Sequence, residues 1–138
     1  MNDPLVLTLI ILGMVALLML FSRLNTTKNI AKRKNSISNS LDKIKIHIES
    51  DNEYERKDAL IKLDNLLAKS LNHKYKNSSS CGENLKRAEK VFRKDTYQNL
   101  WEVHKLRNKV VHNDLEITKE EAKNAYHIYK LCINRILK

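Results

Sequence analysis

The chain has 138 residues, with two glycines, one proline and two cysteines, and a formal net charge of +10. That length holds one small domain plus an attachment, and scarce Gly and Pro with apolar residues recurring at three and four spacing exclude a strand-rich chain and predict an all-α one. The positive excess fits an acidic partner, nucleic acid or anionic lipid head groups, or serves solubility alone.

Leu5 to Phe21, LVLTLIILGMVALLMLF, is an uninterrupted apolar run without a charge. It reaches the short end of what crosses a bilayer, about 17 residues. Pro4 suits the first turn of a helix. The residues before the run carry no Lys or Arg, and Ser22, Arg23 and Leu24 after it offer no small-residue cleavage site, so a retained anchor is expected at 1–22. Arg23, Lys28, Lys32, Arg33 and Lys34 follow with no acid among them. The positive-inside rule then puts the N-terminus outside and the rest in the cytoplasm, at the cell membrane. Part of the charge excess is thereby explained by topology and lipid contact.

Residues 23–52 read as a basic linker with an upstream helix. Asn25 to Ser40 is rich in Asn, Ser, Thr and Lys, as a linker or a weak extension of the membrane helix. Leu41 to Glu49 fits a helix through Leu41, Ile44 and Ile48, and a strand through Ile44, Ile46 and Ile48. Without a second strand to pair with, helix is preferred. Asp51 or Asn52 caps the next element.

The domain proper is 53–138. Glu53 to Leu71 is an amphipathic helix with Ala59, Leu60, Leu63, Leu67 and Leu71 in period. Asp64 beside that stripe is either a solvated edge carboxylate or a partly buried acid that orients a basic residue on another helix. Asn72 to Cys81 reads as a polar loop, and Gly82 to Phe92 as a short helix with Leu85, Ala88 and Phe92 inward. Asp95 or Thr96 caps a helix that Asn113 and Asp114 end. Thr118 and Glu121 form a capping box ahead of a last helix. Its inner face is Ala122, Ala125, Tyr126, Tyr129, Cys132, Ile133 and Ile136. The expected architecture is one transmembrane helix followed by an antiparallel bundle of about four to five helices.

Cys81 and Cys132 lack CxxC or Cys/His ligand spacing, which argues for reduced cytosolic thiols, with no disulfide, zinc site or cofactor. The chemistry concentrates in Trp101 to Asn113, WEVHKLRNKVVHN. Val103, Leu106 and Val110 form one edge; His104, Asn108 and His112, at steps of four, form a polar stripe that Arg107 borders. These groups grip and cleave a phosphodiester or form a wet helix surface. His47, His73 and His127 look incidental, and Trp101 belongs to the core or a dimer interface before base stacking.

Arg107-Asn108-Lys109-Val110-Val111-His112 reads R-N-x-x-x-H and resembles the motif of the HEPN family. ALIKLDNLL (Ala59 to Leu67), LWEVHKLRNKVVH (Leu100 to His112) and TKEEAKNAYHIY (Thr118 to Tyr129) are similar to small membrane-anchored bacterial HEPN-like proteins. The likeness covers Glu53 to Leu137. It implies a helical bundle that pairs so that two motif copies face one cleft, often as a metal-independent ribonuclease. Arg107 would hold the phosphate, Asn108 would position groups, and His112 would move protons, with Asp64 and His104 as further candidates. Other HEPN-like domains keep the bundle and act only in binding. The Arg–His interval of five turns the two side chains about 140° apart on a regular helix, so one cleft takes both only if it is broad or the helix loosens near His112.

The preferred expectation is a membrane-anchored module that forms a homodimer or docks a protein partner. An endoribonuclease of toxin or defence type is the sharpest alternative. A basic tether that binds RNA or other nucleic acid without cutting it comes third.

Overall fold

The structure is a computed structural model that describes residues 3–138. The described residues form five α-helices and no strand. These are α1 (Pro4–Ile48), α2 (Glu53–Tyr75), α3 (Cys81–Arg87), α4 (Lys94–Asn113) and α5 (Lys119–Ile136), with a 3₁₀ turn at Glu89–Val91 after α3. The chain divides into two compact units, the first ending at Ser36 and the second being Ile37–Lys138.

The first unit is helical throughout its described part from Pro4. Its apolar side chains Leu5 to Phe21 are exposed, and the helix is long and apolar enough to cross a membrane, with mean hydropathy 2.8 over 18 residues. Asn25 to Ser40, expected as a linker or helix extension, continues as regular helix. The reason is local: Lys, Arg, Ala and Ile dilute the Ser and Asn, no Gly or Pro intervenes, and Thr26 and Thr27 fold their hydroxyls back onto Ser22 and Arg23 carbonyls. Leu41 to Glu49 is likewise helical through Ile48, not a strand.

In the second unit the core begins earlier than residue 53. Ile37, Leu41, Ile44 and Ile48, at spacings of four, three and four, are buried with α2 to α5. The boundary expected at 52/53 therefore moves back to 36/37.

Contacts fix the helix directions. Asp51 before α2 pairs with Lys119 at the start of α5 (2.7 Å), and Asp64 midway along α2 meets Tyr129 midway along α5 (3.0 Å). Lys57 near the start of α2 meets Asp114 just past the end of α4 (2.8 Å). Consequently α2 and α5 run in the same sense and α4 runs against both. The successive helices α4 and α5 are thus antiparallel, as their five-residue connection favours. Arg56 draws two of those connections together, donating to the carbonyls of Ile117, Ser50 and Asp51.

The inner face of α5 is buried at all seven expected positions. Capping explains the ends. Asn52 accepts from the Tyr54 amide, and Thr118 with Glu121 forms a capping box. Ser80 and Glu83 form a second box that starts α3 at Cys81. Helix α4, expected to be capped by Asp95 or Thr96, begins at Lys94 with Arg93 at its cap and no side-chain cap bond. It closes on Asp114 in the left-handed region (φ 47°, ψ 40°). The loop expected from Asn72 starts only after Tyr75. There buried Asn84 donates to Asn72 and Asn77 and accepts from Asn77.

Leu67 is fully buried. Leu67→Ala is expected to cost about 2–5 kcal/mol, and Thr118→Ala about 1 kcal/mol through the lost cap. Thermal unfolding of the full chain in detergent, followed by circular dichroism, measures both. Equal, negligible shifts would contradict this core.

Candidate functional site

Asp64 lies among the leucines of α2, not beside them. Taking Leu60 as zero, Leu67 and Leu71 fall within about 20° of it and Asp64 at about 40°. The carboxylate is therefore carried into the core, where it is 3% exposed. It is not a solvated edge group: it is buried rather than partly buried, and it meets basic residues of another helix, His104 and Arg107. A carboxylate there demands donors, and three other helices supply them.

From α4, His104 places Nδ1 2.7 Å from Asp64 Oδ1. From α5, the Tyr129 hydroxyl donates to the same oxygen at 3.0 Å. From the first position of α3, the Cys81 thiol reaches it at 3.8 Å. Arg107, also on α4, stands with Nε 3.6 Å from Oδ2, an ion pair too long for a hydrogen bond. Its Nη1 donates to Asn108 Oδ1 at 3.0 Å. Asn108 Nδ2 lies 3.5 Å from His104 Nε2. At 2.7 Å the acceptor-only carboxylate takes its hydrogen bond from Nδ1–H of the imidazole.

His104 is buried, contrary to a wet-surface reading of its stripe. Leu100 is the reason. It is fully buried, and on its helix His104 and Arg107 lie about 40° and 20° to either side of it. The inward direction of α4 is thus set by Leu100 and Val103, while Leu106 is only half-buried. His112, about 120° from Leu100, is exposed in the last turn. Arg107 and His112 do not converge within one chain: the first turns toward Asp64, the second toward solvent. The helix stays regular through His112 and ends after Asn113. Trp101 is half-buried and sets its ring edge-on to His104 at 5.7 Å.

Two site residues escaped the sequence reading. Tyr129 was legible only as a core position, and Cys81 as a loop end. The usable signal was Ser80-x-x-Glu83, which starts a helix at Cys81 and turns it inward.

The arrangement is a buried acid holding an imidazole, a phenol, a thiol and a guanidinium. An imidazole nitrogen of His104, a carboxylate oxygen of Asp64 and Cys81 Sγ lie within 4.8 Å of one another, a donor set that can hold a metal ion. No family model, curated protein or solved structure matches this chain.

Burial, then the adjacent Asp64 charge, pushes the Tyr129 hydroxyl well above its ordinary 10.0. Burial first, and then Asp64, pushes the Cys81 thiol above its ordinary 9.0, and burial takes Cys132 up to about 12. These raised values stabilise the fold below the unfolded-state values. Once the unfolded chain ionises, stability falls as pH rises. Thermal stability is expected to hold to about pH 9 and decline above it. Tyr129→Phe should cost about 1 kcal/mol at neutral pH and make the alkaline decline shallower; an unchanged decline would contradict the assignment.

Asp64→Ala leaves His104 and Tyr129 without their acceptor and Arg107 without its ion-pair partner. It is expected to destabilise the chain by about 3–5 kcal/mol, measured as the fall in unfolding midpoint. A loss under about 1 kcal/mol, the scale of an exposed pair, would show that the carboxylate is not the hub.

Proposed function

We propose that this protein is a membrane-anchored, HEPN-like helical bundle that works as a homodimerising or partner-docking module on the cytoplasmic side. The observation that carries this reading is the direction of Arg107. Its Nε faces the buried Asp64 carboxylate and its Nη1 is bonded to Asn108, so the motif's guanidinium braces the interior. His112 stands exposed more than a turn further on, about 140° around the helix from Arg107.

Anchoring rests on α1. Its exposed apolar run needs a hydrocarbon surrounding, and Arg23, Lys28, Lys32, Arg33 and Lys34 after it favour a cytoplasmic C-terminal unit in contact with anionic lipid. Pairing rests on the end of α4, where Val111 and Leu115 flank His112 with about two-fifths of their surface open. A second copy is the occupant the resemblance implies for this face.

The same face supports a second reading as a metal-independent endoribonuclease. Across a two-fold axis, the two exposed His112 side chains would supply the acid and base that one chain lacks, with each Arg107 at the margin of the cleft.

The full chain in lipid nanodiscs separates the two. The module reading predicts a dimer by light scattering, converted to monomer by Val111→Asp, and no cleavage of single-stranded RNA in the presence of a chelator. Chelator-resistant cleavage that His112→Ala removes would replace it with the ribonuclease reading. A monomer that cleaves nothing would remove both homodimeric readings.

A further inference from the structure

The Asp64 cluster contains more chemistry than a helix lock requires. Asp, His and Tyr already form a satisfied hydrogen-bonded set, and a thiol adds little to it, because a thiol is a weak donor. Yet Cys81 enters at the first position of α3, fixed there by the Ser80–Glu83 capping box. Its sulfur points at the same carboxylate oxygen that His104 and Tyr129 use.

We infer that Asp64, Cys81 and His104 form a binding site for a divalent transition-metal ion of zinc or cobalt type. Each ligand comes from a different helix, α2, α3 and α4. The donor set of one carboxylate oxygen, one thiolate and one imidazole nitrogen is the borderline mixture that such ions accept.

The spacing fits. Around a tetrahedral ion with bonds of about 2.0 Å to N and O and 2.3 Å to S, ligand atoms stand roughly 3.3–3.5 Å apart. Cys81 Sγ is 3.8 Å from Asp64 Oδ1, close to that edge. His104 Nδ1 is 2.7 Å from it, so the imidazole withdraws by roughly half an ångström when a metal replaces the shared proton.

Protons balance. The thiol proton leaves to solvent as the sulfur–metal bond forms. The proton on His104 Nδ1 moves to Nε2; Asn108 turns its amide oxygen toward it and gives up the bond from Arg107 Nη1, which is left to solvent. The supporting shell is in place: the Tyr129 hydroxyl and the Arg107 guanidinium hold the carboxylate's orientation, as partners of metal-bound carboxylates do. The ion's charge is offset by the carboxylate and thiolate, leaving the neighbouring guanidinium tolerable. Three ligands leave a fourth position for water or Tyr129. Cys81 is half-buried, which gives the ion a route from solvent. The inference is independent of the proposed module role.

The probe is cobalt(II), added to the untagged full chain in detergent after chelator treatment and reduction. One ion per chain and a thiolate-to-cobalt charge-transfer band are expected. Cys81→Ser should remove the band and weaken binding by at least about 100-fold, while Cys132→Ser keeps both. Zinc should raise the unfolding midpoint of the wild type, with the rise growing with free zinc, and not that of Cys81→Ser. That comparison starts from each protein's own midpoint, so a modest folding defect in the variant does not obscure it. No stoichiometric binding, a band that survives Cys81→Ser, or an equal zinc shift in that variant overturns the proposal.

Discussion

One carboxylate constrains the second unit more than any other group. An acid inside a stripe of leucines is tolerated only if neighbouring helices bring it donors. Asp64 receives them from α3, α4 and α5, so those helices are fixed in rotation as well as in depth. Apolar packing turns the Leu100–Val103 face of α4 and the apolar face of α5 inward but is itself non-directional; the hydrogen bonds from His104 and Tyr129 then fix the exact rotation. The closure of the connecting loops repeats this logic at the surface, where Arg56 gathers the carbonyls of Ser50, Asp51 and Ile117.

That constraint bears directly on the R-N-x-x-x-H segment. A motif read along the sequence suggests a common purpose for Arg107 and His112. The helix separates them, because Leu100 and Asp64 turn Arg107 inward and leave His112 outward. A guanidinium held beside a buried acid is a poor free clamp for phosphate, though it is a good brace. The proposed reading as a binding module draws on this division of labour. Catalysis would have to be assembled between chains.

Much of the fold was legible because its signals are local. The seven inward residues of α5 follow one helical period behind a Thr118–Glu121 box, and α2 announces itself by four leucines. The misplaced features share a physical cause. Asn25 to Ser40 left linker and helix extension both open by composition; without Gly or Pro nothing stops a helix from propagating. Asp64 and His104 looked marginal by polarity, yet their angular positions beside Leu60 and Leu100 make them interior. Cys81 joined them across 17 residues to Asp64 and more to His104, a separation that ligand-spacing rules do not address. Buried polar groups are where polarity and geometry disagree, and geometry prevailed at Asp64, His104 and Cys81 because each found a partner.

The account therefore stands on His104 being an interior, carboxylate-bound imidazole. Nitrogen-15 NMR of the metal-free full chain in detergent tests this most directly. It should show for His104 a proton on Nδ1 that exchanges slowly with solvent and is lost as a protected signal in Asp64→Asn, while His112 exchanges fast. A His104 ring that exchanges as fast as His112, and is indifferent to Asp64→Asn, would contradict the buried hub and the orientation of α4 derived from it.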